Sequence, residues 1–99
     1  MMYIKVHRSY RLVVAICDKE LLGKKFEEGI KQLEIQENFF KGEEADSDEI
    51  IEHLKNFSMD DATFNIVGEK SINTALKAGI IAEGGIGMVQ GVPFALVLL

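Results

Sequence analysis

The stretch from Phe64 to Ile81 constrains the fold more than any other part of the chain. Thr63–Val67 alternates, with Phe64 and Ile66 on one face, and reads as a strand. Gly68 breaks it. From Glu69 to Ala78, Ile72, Ala75 and Leu76 recur at helical spacing, and Gly79 supplies the stop. A strand that turns through one glycine into a helix must lay that helix back on its own sheet. Such a junction also gathers unpaired backbone N–H groups at the helix start, a common way to build an anion site.

The rest of the chain extends this frame. Met2–His7 alternates, with Ile4 and Val6 inward and Tyr3, Lys5 and His7 outward. Leu12–Cys17 is continuously apolar and β-branched, as in a strand covered on both faces and central in its sheet. Arg8-Ser9-Tyr10 is the turn of a hairpin between them. Asp18 is placed to cap one helical turn that Gly23 stops. Lys24–Gly29 is polar apart from Phe26. Ile30–Gln36 alternates with Leu33 and Ile35 inward, which predicts a third strand, and Phe39-Phe40 anchors a turn at Lys41-Gly42.

Glu43–Asp48 is acidic and leads into a helix over Ser47–Phe57. Asp46 or Ser47 is its N-cap, Asp46 with Glu49 resembles a capping box, and Ile50, Ile51, Leu54 and Phe57 form the apolar stripe. Glu83–Gly87 is a flexible connection. Met88–Gln90 and Val92–Leu99 follow around Gly91, with Pro93 restricted to a strand start, an edge or a bulge. The apolar ending Leu96-Val97-Leu98-Leu99 fits a strand inside the sheet. At an edge it would invite a partner, including a homo-oligomer.

Ninety-nine residues suit one domain, 1–99, with one core. The net charge of −5 is unevenly spread. Residues 1–31 carry seven cationic and four acidic side chains, whereas residues 32–61 carry ten acids against Lys41 and Lys55. A basic and an acidic face are therefore allowed, though a solvated acidic helix with scattered lysines accounts for the same pattern. Cys17 is the sole cysteine, so no intramolecular disulfide forms, which fits a reducing compartment. Lys5, His7 and Arg8 interrupt any signal segment, and Val92–Leu99 is far short of the ~20 residues that span a bilayer. The expectation is a cytoplasmic protein without a membrane partner.

Two constellations are candidates for a site. Gly68-Glu69-Lys70-Ser71 resembles half a P-loop, but Glu69 separates the glycine from the lysine and the upstream glycine is missing, which argues against nucleotide hydrolysis of that type. A weaker reading keeps Lys70 and Ser71 in the first helical turn as ligands for a phosphate or carboxylate, with an ordinary tight turn as the alternative. Cys17-Asp18 ends the central strand. A thiol at a helix N-terminus is acidified, but Asp18 opposes this and His7 lies at the far end of the hairpin, so a small buried residue is the expected role. Cys17, Asp18, Gly68, Glu69, Lys70 and Ser71 are thus the small-ligand candidates. Two histidines and one cysteine at remote positions give no metal spacing, and no cofactor motif is complete. Tyr3, Arg8, Tyr10 and Arg11 on the hairpin, with Lys24 and Lys25, are candidates for nucleic acid, since rings beside cations stack and neutralise single strands.

Val14-Ala15-Ile16-Cys17-Asp18-Lys19-Glu20-Leu21-Leu22-Gly23-Lys24, Phe39-Phe40-Lys41-Gly42, Asn65-Ile66-Val67-Gly68-Glu69-Lys70-Ser71 and Gly91-Val92-Pro93 occur in an order that resembles the archaeal domain-of-unknown-function family 424. The resemblance covers nearly the whole chain. It implies a small α+β cytosolic protein with no assigned cofactor or catalytic residue, and a link to translation and RNA-handling genes. The family pattern runs Pro-His-Ala-Gln where this chain has Pro93-Phe94-Ala95-Leu96, so the polar pair is replaced.

These observations predict an α+β two-layer sandwich, with a mixed, mostly antiparallel sheet of about five or six strands and two main helices on one face. The function expected first is a non-catalytic binding module for RNA or a ribonucleoprotein. The alternatives are a small-anion or phosphate-ligand binder, conceivably an enzyme, at Gly68–Ser71, and a protein-interaction or oligomerisation module.

Overall fold

A computed structural model describes residues 1–98; Leu99, the last residue of the strand expected over Val92–Leu99, lies outside the described residues. The elements run β1 (Met2–Arg8), β2 (Leu12–Asp18), β3 (Lys25–Glu28), β4 (Lys31–Glu34), α1 (Glu37–Phe40), β5 (Glu43–Ala45), α2 (Ser47–Ser58), β6 (Thr63–Val67), α3 (Glu69–Ala78), β7 (Gly87–Val89) and β8 (Val92–Leu98). Six strands form the main sheet in the order β5-β1-β2-β6-β8-β7, and β3 pairs with β4 in a separate ribbon. β2 and β6 are parallel and the other neighbours antiparallel. The α+β sandwich with a mixed sheet and two main helices on one face is therefore the architecture.

β2 is central, as its unbroken apolar run requires. Val14 and Ile16 join Ile4, Phe64, Ile66 and Ala95 beneath α2 and α3, and all six are buried. Each of the larger side chains among them contributes about 1.5–3 kcal/mol through burial. α2 begins with the complete capping box: Glu49 N–H donates to Asp46 Oδ1 at 2.9 Å and Asp46 N–H to Glu49 Oε1 at 3.3 Å. α3 ends where Gly79 turns left-handed, at φ +77°.

The opposite face carries a partial third layer. Tyr3, Ala15, Cys17, Val67 and Phe94 look outward from the sheet onto the β3–β4 ribbon and α1, which bring Phe26, Leu33, Ile35 and Phe40. Lys5 Nζ donates to the Asn38 carbonyl at 2.7 Å and His7 Nε2 to the Phe39 carbonyl at 2.8 Å, and the His7 ring stacks on Phe39. The outward residues of β1 thus hold α1 in place.

Several local expectations are corrected. The segment over Ile30–Gln36 does form a strand, Lys31–Glu34, but it stands outside the main sheet and pairs with Lys25–Glu28 around a tight turn at Gly29-Ile30. Lys24–Gly29 is polar apart from Phe26, and its strand, Lys25–Glu28, is stabilised by that pairing. Glu43–Ala45 is a short edge strand on β1 rather than only a lead-in to α2. At Gly42 the chain passes so close to the Ile4 carbonyl that a side chain would collide with it. β8 lies inside the sheet only over its first half, because the β7 ladder ends at Gly87 opposite Phe94. Gln90 and Gly91 both take positive φ in the intervening hairpin turn, and Gln90 N–H donates to Glu28 Oε1 at 2.6 Å.

Asp46→Ala removes the side-chain half of the capping box, the carboxylate that accepts from Glu49 N–H, and leaves the backbone half in place. It is expected to cost about 1 kcal/mol, a fall of roughly 4–8 °C in Tm by differential scanning calorimetry. An unchanged Tm would contradict the capping role.

Candidate functional site

Parallel pairing sets the ends of β2 and β6 side by side, with Cys17 opposite Val67. The next residues, Asp18 and Gly68, therefore meet where α3 begins. The Asp18 side chain does not cap the short turn Lys19–Leu21 that follows it. It reaches across to α3 instead. Ser71 N–H donates to Oδ1 at 2.8 Å, Ser71 Oγ donates to the same atom at 2.7 Å, and Lys70 N–H donates to Oδ2 at 3.0 Å. Asp18 and Ser71 are both buried.

The expected anion site is present in form, and a carboxylate of the chain itself occupies it. A negative group at a helix N-terminus meets the positive end of the macrodipole and the free N–H groups together. Gly68 is required twice over. Its φ is +109°, and a Cβ there would collide with the Asp18 carboxylate. Gly68 N–H donates to the Pro93 carbonyl at 2.8 Å, and Ile72 N–H to the Gly68 carbonyl at 2.9 Å. One junction thus joins β2, β6, β8 and α3.

The other small-ligand candidates sit around this junction without facing a common space. Glu69 is exposed. Lys70 Nζ lies 3.6 Å from Glu20 Oε1, both side chains being more than half exposed, a pairing that contributes little. Cys17 is fully buried and packs on the opposite face with Ala15 and Val67. Burial, and secondarily the charges of Asp18 and Glu20, push its thiol up to about 12, away from a reactive thiolate. A cleft of about 300 Å³ beside Lys70, Asn73 and Lys77 is also lined by Asp46, so its charges are mixed. Among the described residues no group of acidic, histidine and cysteine side chains is arranged to hold a metal ion.

The nucleic-acid candidates are dispersed. Arg8, Tyr10 and Arg11 are exposed at the β1–β2 turn, with Arg11 Nε donating to Thr63 Oγ1 at 3.2 Å. Lys24 and Lys25 lie beyond the other end of β2, whose seven residues span about 20 Å. Lys25 pairs with Glu27 at 3.3 Å. Tyr3 is buried beneath the third layer and presents no ring face to solvent.

A groove of about 380 Å³ opens between the third layer and the sheet, with Asn65, Val67, Phe94 and Leu96 on its floor and Leu33 and Phe39, together with the polar Gln32, Glu34 and Gln36, on its wall. Phe94 and Leu96 thus lie together on one face of β8. Leu96 and Leu98 are 58% and 71% exposed, an unusual cost for leucines in a strand. Sequence reading identified this apolar terminus but not the groove, because the wall comes from elements that pair outside the main sheet.

Residues 7–99 match the family model described as a protein of unknown function (DUF424), and the chain belongs to that family. It is also similar to an uncharacterized conserved protein from Methanopyrus kandleri whose crystal structure is known. The two share 25% identity over 98% of this chain and 91% of that one, with a TM-score of 0.86. No match is found among the curated proteins. No helix among the described residues is long and apolar enough to cross a membrane.

Two predictions follow from the junction. Asp18→Ala strands the Ser71 hydroxyl and two helix N–H groups, and is expected to cost about 3 kcal/mol or more in chemical denaturation. Formate should restore part of that loss by filling the vacated notch; a loss below about 1 kcal/mol would refute the anchoring role. The Cys17 thiol should resist iodoacetamide in the folded protein at pH 9 and react on unfolding. Fast labelling of the native state would contradict its burial.

Proposed function

We propose that this protein is a non-catalytic binding module that docks an extended, uncharged polypeptide segment on the β6–β8 side of its sheet. The observation that carries this reading is the outer edge of β8. Beyond Phe94 it has no strand neighbour among the described residues, and the exposed Leu96 and Leu98 flank it beside a groove whose floor is mainly apolar and whose one charged wall residue is Glu34. Strand addition suits such a surface. The open backbone supplies affinity, and alternate side chains fall into or away from the groove.

The chemistry of the rest of the molecule supports a binding role. The N–H groups of Lys70 and Ser71 that would hold a phosphate are engaged by Asp18, and the one thiol is buried. An RNA partner needs cations along one track. Arg8 and Arg11 are separated from Lys24 and Lys25 by the length of β2, and neither lysine nor arginine lines the groove among the described residues.

Nuclear magnetic resonance titration separates these readings. A short, blocked peptide of alternating leucine and threonine should shift the Leu96 and Leu98 amides and the Asn65 side-chain amide, with little dependence on salt. No shift with this peptide would refute the reading. Salt-sensitive shifts at Arg8, Tyr10 and Arg11 on adding oligouridylate would replace it with RNA binding.

A further inference from the structure

The two edges of the main sheet are built in opposite ways. β5 is three residues long, and Glu43 and Glu44 make up two of them. Glu44 is also paired with Lys19 at 2.8 Å. Short, charged edges of this kind resist pairing with another chain. The other edge, from Gly87 to Leu98, contains no charged residue, in a chain that is 27% charged. Its β7 strand covers only Val92–Phe94, leaving the second half of β8 bare.

The ladder geometry fixes which groups of that half are open. Gly68 N–H bonds to the Pro93 carbonyl, so Pro93 turns its backbone toward β6. In an antiparallel pair this direction alternates along the strand. Ala95 and Val97 therefore turn their N–H and C=O toward β6, opposite Ile66 and Phe64, while Leu96 and Leu98 turn theirs outward. The ladder accounts for Pro93 as well, whose missing N–H falls at the end of β6.

We infer that the partner of this edge is a second copy of the chain, whose β8 pairs antiparallel with the first about a two-fold axis through Val97. The inference rests on the binding role proposed for this edge. In that register Leu96 of each copy faces Leu98 of the other, and every outward N–H and C=O of both leucines meets its complement. A register centred on Leu96 would instead place Leu98 opposite Phe94, whose outward groups are already taken by Gly87. The two-fold axis stands normal to the sheet, so the side chains keep their faces. The exposed leucines of both copies gather into one cluster, and the two six-stranded sheets become continuous.

Charge tolerates a copy of the same chain in this arrangement and in few others. Each copy carries a net −5 and should repel another. The acids of residues 43–52, however, sit on β5 and the first turns of α2. His53 and Phe57 place α2 over β1, at the far edge of the sheet. Pairing through β8 puts the two acidic edges as far apart as the molecule permits. The paired segment is short, below about 1,200 Å² of total buried surface, so the dimer should dissociate on dilution.

Sedimentation velocity from about one to a few hundred micromolar tests this. The wild type should shift from monomer to dimer across that range. Leu96→Pro removes an outward N–H, and Ala95 before it is already extended, so the fold should persist while pairing is blocked. Leu98→Glu places a charge at the two-fold contact without disturbing the core and tests the same point independently. Both variants should remain monomeric with the circular dichroism of the wild type; if Leu96→Pro is unfolded, Leu98→Glu decides. A wild-type monomer throughout, or a dimer that survives Leu98→Glu, overturns the inference. A monomer that still binds the leucine–threonine peptide overturns the dimer alone, whereas one that binds neither overturns the binding role as well.

Discussion

The contact between the Asp18 carboxylate and the start of α3 sets the geometry on which the remainder depends. Parallel strands have no tight turn between them, so the alignment of β2 with β6 must be fixed by something other than a hairpin. Here the end of one strand supplies the anion that the helix following the other strand requires. The three donors converge from two residues of α3, and Gly68 is the space that lets them. Its N–H extends the same junction to β8. Strand order, helix placement and the start of the C-terminal strand are coupled at one point.

This coupling has a functional consequence. A glycine turn entering a helix is a recurrent phosphate site, and the residues Gly68-Glu69-Lys70-Ser71 invite that reading. With a carboxylate of the protein already seated among the donors, the same local geometry serves the fold instead. The surface features without internal partners lie elsewhere, on the β6–β8 side: a groove with a mainly apolar floor, two exposed leucines and a strand edge without charge. The contrast with the short, glutamate-bearing edge at β5 marks one side of the sheet as protected and the other as open.

Much of the fold was legible in the residues. The apolar run of β2, the strand–glycine–helix–glycine block and the Asp46–Glu49 box each specify their element locally, and all are present. What escaped was set by distant partners. β3 and β5 are polar segments with no internal period strong enough to mark them, and they become strands because β4 and β1 lie alongside. Tyr3 and Lys5 alternate outward as a solvent face would, but α1 and the ribbon cover that face. Local capping is the rule the residues display, and it points Asp18 to the turn that follows it rather than to α3. The clue to its real partner was that two strands ending in Asp18 and Gly68 would bring those residues together only if they ran parallel.

Amide hydrogen exchange, followed residue by residue at two protein concentrations, bears most directly on this account. The Lys70 and Ser71 amides should exchange only with global unfolding and be indifferent to added phosphate. The Leu96 and Leu98 amides should exchange freely in dilute solution and slow as concentration rises. Rapid exchange at Ser71 that phosphate suppresses, with Leu96 and Leu98 protected at every concentration, would contradict it.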